Sequence, residues 1–224
     1  VSVSHVSLET TENVRRTTVR PTRRRWRDGG KAVVEWLLAL IAVVVLSPVF
    51  IVIALVITVT TGRPVIHRRR VVGRGGVEFD AFKFRTMVCG AERVLEQDDR
   101  LRELFTRNWK LFADPRVTPI GRCLRKYSLD ELPQLLNVLR GEMALIGPRM
   151  ISPPELARYG ELQSKLCSVR PGLTGLWQVS GRQTVSYARR IELDMHYIDT
   201  CSPLVDLSIL LRTLPVVMRA EGAF

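Results

Sequence analysis

"WLLALIAVVVLSPVFIVIALVITVTT", Trp36 to Thr61, is a run of 26 residues without a charged side chain. At about 1.5 Å of rise per residue, a straight helix of this length reaches roughly 39 Å, more than the ~30 Å hydrocarbon core of a bilayer. Length therefore permits a crossing. Two features point the other way. Pro48, preceded by Ser47, falls near the midpoint, where it removes a backbone donor and bends a helix. Both flanks are basic, whereas a single crossing concentrates Lys and Arg on one side. The pattern predicts a re-entrant membrane hairpin over residues 32–62, broken at Ser47-Pro48, with arms roughly 18 Å deep at most and both flanks in the cytoplasm. Proline also occurs in true spans, so these residues alone leave a crossing open. A cleaved signal peptide fits poorly, since the apolar run is too long and no small-x-small site follows it.

Upstream, residues 15–31 carry Arg15, Arg16, Arg20, Arg23, Arg24, Arg25, Arg27 and Lys31 against the single acid Asp28. With few apolar residues among them, 1–31 reads as a disordered basic tail. Downstream, Arg63, Arg68, Arg69, Arg70 and Arg74 form a second basic cluster. Over the whole chain, 34 Lys and Arg face 22 Asp and Glu, a formal charge of +12. Such an excess calls for anionic partners: phosphorylated small molecules, an acidic membrane surface or nucleic acid. Cys89, Cys123, Cys167 and Cys201 are scattered without a C-x-x-C pair, which argues against zinc and fits a reducing compartment.

Residues 63–224 read as one compact α/β unit, mostly helical with a small β-hairpin. The hairpin is expected around Gly73-Arg74-Gly75-Gly76, with Val77, Phe79 and Ala81 on one face of its second arm. Residues 90–107 have helical spacing. "SLDELPQLLNVLRG" predicts a helix with an apolar face of Leu132, Leu135, Leu136 and Leu139, closed by Gly141. "EMALIGPRM" is strand-like up to Gly147-Pro148, and "RPGLTGLWQVSGR" is loop-rich. Two final helices, about 184–199 and 203–219, are separated at Ser202-Pro203. The last is amphipathic and suits either the membrane interface or a soluble core.

Within this unit, "YSLDELPQL" sets two acids side by side, Asp130 and Glu131, among Arg122, Arg125, Lys126, Arg140 and Arg149. A bland reading exists: Ser128 and Glu131 have the spacing of a capping box at a helix start. The surrounding motifs favour another. "KFRTM", "DPRVTPIGRCLRKYSLDELPQLLNVLRGEMALIGPR", "RPGLTGLWQVSGR" and "LDMHYID…PLVDLSILLRT" resemble, in the same order, the bacterial sugar transferases, the monotopic polyprenyl-phosphate phosphoglycosyl transferases. The resemblance covers roughly residues 36–224, including the Ser-Pro pair.

That resemblance implies transfer of a phosphosugar from a UDP-sugar to undecaprenyl phosphate, with release of UMP. It places the enzyme at the cytoplasmic face of the bacterial inner membrane, in the first membrane step of exopolysaccharide, capsule, O-antigen or glycoprotein glycan assembly. It implies that Asp130 is the nucleophile, forming an aspartyl-phosphosugar intermediate, and that Glu131 helps hold Mg²⁺. Arg149 matches a phosphate-contacting arginine, and Lys83, Arg85, Arg125, Arg182 and Asp194 fall at polar family positions around the site. It also implies the re-entrant helix. The chemistry is coherent, because a carboxylate nucleophile divides the meeting of two phosphates into two displacements. Magnesium needs few protein carboxylates when phosphates supply the rest of its shell, and a planar arginine suits phosphate.

Three positions depart from the family pattern: Met150 follows Gly-Pro-Arg where a second proline is usual, Val71 replaces an arginine, and Cys201 replaces a tryptophan. Anionic lipids are expected partners of the basic tail, and a homodimer is left open by the sequence, as is the sugar. The alternatives are a membrane-tethered basic scaffold without catalysis and a nucleic-acid-binding protein. Against the latter, no nucleic-acid module is recognisable, so no nucleic-acid partner is expected.

Overall fold

The computed structural model describes residues 29–100, 102–103, 114–181 and 184–219. The basic tail up to Asp28 and the predicted site residue Arg182 lie outside them. Helix α1 (Lys31–Thr61) is followed by the hairpin β1 (Ile66–Val72) and β2 (Glu78–Phe84), then α2 (Ala91–Gln97), α3 (Pro119–Lys126) and α4 (Gln134–Leu139). A short strand β3 (Ala144–Ile146) leads to α5 (Pro153–Leu156) and α6 (Gln163–Leu166). Strand β4 (Gly172–Thr174), α7 (Tyr187–Thr200) and α8 (Pro203–Met218) complete the order. The expected class holds: mostly helical, with two small two-stranded sheets.

Helix α1 departs from expectation. It is a single helix with Pro48 inside it, where a break had been predicted at Ser47-Pro48. Proline cannot donate to the carbonyl of Val44 four residues back. The Ser47 hydroxyl donates to that same carbonyl at 2.8 Å, so the acceptor is satisfied and the helix continues. Among the described residues, α1 is the one helix long and apolar enough to cross a membrane.

Both halves of α1 pack on the same body. Ala39, Ala42, Val43, Leu46 and Phe50 join the main core with Leu135, Val138, Met143 and Ile146. Ile53 and Ile57 join Phe84 and Leu124 in a smaller cluster. These positions recur at three- and four-residue spacing, one stripe of the helix. The opposite stripe, Ile41, Val44, Val45, Ile51, Val52 and Leu55, is exposed and wholly apolar. The helix is also tied at each end. Trp36 Nε1 donates to the Leu139 carbonyl at 3.1 Å, and Arg85 Nη2 donates to the carbonyls of Thr61 and Gly62 at 2.7 and 2.6 Å. Arg85 thus supplies donors and positive charge where a helix leaves carbonyls unpaired.

The hairpin is antiparallel and fully paired from Ile66 opposite Phe84 to Val72 opposite Glu78. Its turn is Arg74–Gly76, with Gly75 and Gly76 at positive φ. Phe79 and Ala81 face inward as expected, but Val77 precedes the strand and is exposed. β3 and β4 are parallel, with Ala144 opposite Gly172 and Ile146 opposite Thr174. The backbones of Gly147 and Gly172 approach so closely that a Cβ on Gly172 would overlap the Gly147 nitrogen, which fixes the turn just before Arg149.

Helix starts follow the sequence signals. Thr118 caps α3 through Gly121 N–H ahead of Pro119, and Ser186 and Ser202 cap α7 and α8. α4 differs in detail. Leu135 is buried, but Leu136 is exposed, and Asn137 and Val138 take the inward positions. On α8 the stripe Leu204, Leu207, Leu211, Leu214 and Met218 points outward, while Asp206 and Ile209 are buried. The three departures from the family pattern all lie in the core: Met150, Val71 and Cys201 are buried and pack in one cluster.

Candidate active site

Asp130 and Glu131 lie on a single turn of tight helix, Leu129–Glu131, between α3 and α4. The capping box that the Ser128–Glu131 spacing allows does not form. Ser128 sits at φ 54°, in the left-handed region, and its side chain caps nothing. Its carbonyl instead accepts from the Glu131 N–H at 3.2 Å. The Glu131 carboxylate is thereby free for other partners.

Those partners come from two different sheets. From β2, Lys83 Nζ donates to Glu131 Oε1 at 2.6 Å. From the turn after β3, Arg149 donates through Nη2 to Oε1 at 2.6 Å and through Nη1 to Oε2 at 3.2 Å, a forked pair. Burial alone would raise the Glu131 pKa, but Arg149 and Lys83 outweigh it and hold the carboxyl well below its usual range. Glu131 is therefore an anion at any physiological pH.

Asp130 is treated oppositely. It is buried, and its nearest cation among the described residues is Lys83 Nζ at 3.9 Å, beyond hydrogen-bond range. Burial pushes its pKa up to about 6, against the pull of Lys83 and with a further push from the neighbouring Glu131 charge. Arg125, whose Nε donates to Thr86 Oγ1 at 2.9 Å, and Arg149 add attraction from a distance. Adjacent acids thus divide into one clamped anion and one loosely held carboxylate, the separation of environments that assigns different roles to paired carboxylates.

Asp194 on α7 is buried behind Arg149. Its Oδ2 accepts from the Tyr159 hydroxyl at 2.9 Å, while its Oδ1 is buried without a hydrogen-bond partner. Burial pushes its pKa up to about 6, opposed chiefly by Arg190. Of the sequence-predicted residues, Asp130, Glu131, Lys83, Arg125, Arg149 and Asp194 converge. Arg85 does not join them: its guanidinium is committed to the end of α1 and to Cys89 Sγ at 3.0 Å.

Sequence reasoning missed the residue that fixes this geometry. Asn137, fully buried on α4, accepts from the Phe82 N–H at 3.0 Å and donates to the Asp80 carbonyl at 2.8 Å. It also donates to Glu142 Oε2 at 2.7 Å. One amide therefore completes the hydrogen bonds of β2 immediately before Lys83. An Asn in a leucine-rich segment was the available signal. Strand β3 is held differently. Glu35 on α1 accepts from the Ile146 N–H at 2.9 Å, and Lys31 bridges Glu35 and Asp206 at 2.7 Å each. The Tyr197 hydroxyl lies 2.7 Å from Asp206 Oδ1 and 3.1 Å from the Ile146 carbonyl oxygen.

Among the described residues, no group of three or more His, Cys, Asp or Glu could hold a metal by itself. The pair present still fits Mg²⁺, which takes one or two carboxylates and completes its shell with phosphate and water. Glu131 has one of its roughly four acceptor positions left after its three hydrogen bonds. Asp130 accepts no hydrogen bond among the described residues.

Comparison with known proteins identifies the family. The sequence model of the bacterial sugar transferases matches residues 26–220. The exopolysaccharide production protein ExoY of Sinorhizobium fredii is 42% identical over 192 residues, 84% of this chain and 85% of that protein. The undecaprenyl-phosphate galactose phosphotransferase of Salmonella typhimurium is 41% identical over 190 residues, 83% of this chain but 40% of that longer protein. The UDP-glucose:undecaprenyl-phosphate glucose-1-phosphate transferase of Caulobacter vibrioides is 38% identical over 207 residues, 88% of this chain and 73% of that protein. Motif order, site geometry and these matches lead to one statement: the chain belongs to the bacterial sugar transferase family.

Proposed function

We propose that this enzyme transfers a phosphosugar from a UDP-sugar to undecaprenyl phosphate through a covalent bond to Asp130. The carrying observation is the contrast within the acid pair: Glu131 is clamped by two cations, whereas the Asp130 carboxylate is buried, loosely held and free to attack. In the first step an Asp130 oxygen attacks the β-phosphorus of the donor, and the bond to the UMP oxygen breaks with its electron pair leaving on UMP. In the second, an oxygen of undecaprenyl phosphate attacks the same phosphorus and Asp130 departs as a carboxylate. Neither step needs a proton supplied by the protein.

Lys83, Arg125 and Arg149 offset the charge that accumulates when an anionic nucleophile approaches a diphosphate. Glu131 orients Lys83 and Arg149 and, with Asp130, is the place for Mg²⁺. When bound, that ion supplies further neutralisation of the phosphate oxygens. The setting is the cytoplasmic face of the inner membrane. Support comes from α1, whose ends and inner stripe rest on one body while its outer stripe is apolar, as for a helix with one face against the membrane. The outward leucine stripe of α8 suits the adjoining interface, with anionic lipids meeting the basic flanks.

The test is UMP release by the detergent-solubilised protein across a panel of UDP-sugars with undecaprenyl phosphate, combined with mass spectrometry of the enzyme trapped with donor alone. The expected result is release with at least one sugar and a phosphosugar adduct on Asp130, lost in Asp130→Asn. An adduct on another residue, or undiminished turnover by that variant, overturns the proposal.

A further inference from the structure

Arg149 is the arginine that the family resemblance assigns to phosphate, yet the edge formed by its two terminal nitrogens is taken by Glu131, which leaves three of its five N–H donors for a ligand. A phosphate needs guanidinium edges that are free. Around the Trp177 ring a second guanidinium meets that requirement. The Cζ of Arg149 lies 5.9 Å and that of Arg190 5.0 Å from the Trp177 centroid. Arg190 lies also 5.2 Å from the centroid of Tyr187, whose ring carries Arg158 at 3.7 Å. Three arginines and two rings thus alternate in a ladder that begins at the catalytic Glu131 pair.

Stacking uses the faces of the rings and of the guanidinium, and leaves the in-plane N–H groups for other partners. The Arg190 side chain is only 13% exposed. Its Nε is buried without a hydrogen-bond partner, 3.9 Å from Asp194 Oδ2. Asp194 Oδ2 is already taken by the Tyr159 hydroxyl, and Asp194 Oδ1, buried without a partner, receives no hydrogen bond from Arg190. No hydrogen bond joins either terminal nitrogen of Arg190 to a described residue. Trp177 Nε1 and the Tyr187 hydroxyl, on the two rings that hold it, are likewise buried without partners. A guanidinium taken out of water with an incomplete counter-charge is costly. The ladder orients it, and an anion would complete it.

We propose that Arg190, held between Trp177 and Tyr187, is a second substrate-binding arginine whose terminal nitrogens receive a phosphate group, either of the nucleotide donor or of the lipid acceptor. This rests on the reaction proposed above and adds a residue to it. Lysine would not substitute, because its point charge lacks the forked edge and the flat face that the rings grip.

The experiment uses the full chain in lipid nanodiscs with two probes: UDP, titrated by calorimetry, and undecaprenyl phosphate, varied in the UMP-release assay. Arg190→Met keeps stem volume between the rings, and Arg190→Lys keeps charge. Loss of one charged hydrogen-bonding group predicts weakening of about ten- to a hundredfold. A rise in the UDP dissociation constant alone assigns the donor diphosphate. A rise in KM for undecaprenyl phosphate alone assigns the lipid phosphate, and a rise in both assigns a position that the two use in turn. If Arg190→Met does not fold, Arg190→Lys carries the test, with at least a threefold weakening expected. Either folded variant with both constants within twofold of the parent overturns the role of Arg190 alone. A parent that binds no UDP and releases no UMP overturns the reaction itself.

Discussion

Two small sheets deliver the two cations that clamp Glu131, and they are secured by different parts of the molecule. The β1–β2 hairpin brings Lys83 and is pinned by Asn137 on α4, the helix that directly follows the acid pair. The β3–β4 sheet leads to Arg149 and is pinned by Glu35 on the apolar helix α1, with Tyr197 and Asp206 from the last two helices. One cation is registered by the helix next to the acid pair, the other by the elements that carry the exposed apolar faces. The difference teaches that half of the site's geometry is local and half depends on how the first and last helices are seated.

The largest expected effect comes from removing the cations themselves. Arg149→Ala should lower turnover by about 10³-fold and Lys83→Ala by about 10²-fold, the range seen when one preorganised charge-stabilising donor is lost. Arginine ranks first because its fork makes two of the three bonds to Glu131. Steady-state kinetics checks the order, and equal losses would mean that the two sheets contribute alike.

Next come the pins. Asn137→Ala leaves the Phe82 N–H and the Asp80 carbonyl buried without partners, a cost of about 2–3 kcal/mol. A chain of this size should then melt roughly 4–10 °C lower. Glu35→Gln keeps an acceptor for the Ile146 N–H but discards the charge paired with Lys31. Its stability loss should be smaller, and its turnover should fall more in detergent than in nanodiscs, where the bilayer seats α1. Thermal melts and assays in both media separate the two variants; an identical response to lipid would erase the distinction drawn between the sheets.

The smallest effect is one of pH. Asp130 and Asp194 both have carboxyl groups pushed to about 6 by burial, above the ~3.9 of an unfolded chain. Between those values the folded state binds more protons, so stability falls as pH rises through this window and the penalty is complete above it. Asp130→Asn should therefore melt higher than the parent at pH 7, with the gain shrinking towards pH 4. Activity runs the other way: it should drop about tenfold per pH unit below roughly 6 as the nucleophile is protonated. A parent whose acidic limb lies near pH 4 would show that burial of Asp130 has been overstated.

Much of this was legible in the sequence because it is encoded locally. The apolar length of α1, the glycine turn of the hairpin and the Ser or Thr before α3, α5, α7 and α8 are properties of neighbouring residues. The acid pair, Lys83 and Arg149 carried motif information as well. What the sequence hid is tertiary. Arg85 had the composition of a site residue but is committed to the end of α1, which no local pattern reveals. Glu131 had the spacing of a cap, yet two cations from distant strands outbid one backbone N–H. The Trp177–Arg190–Tyr187 stack joins a glycine-rich loop to α7, so its members had no periodicity to betray them.

The hydroxyl of Ser47 has a consequence for lipid as well as for helix geometry. By occupying the Val44 carbonyl, it removes the need for a water molecule at the proline. Ser47→Ala would strip that carbonyl of its in-chain donor and oblige the surrounding acyl chains to admit moisture or the helix to unwind locally. In the proposed membrane setting, a single oxygen atom would spare this part of the bilayer a bound water.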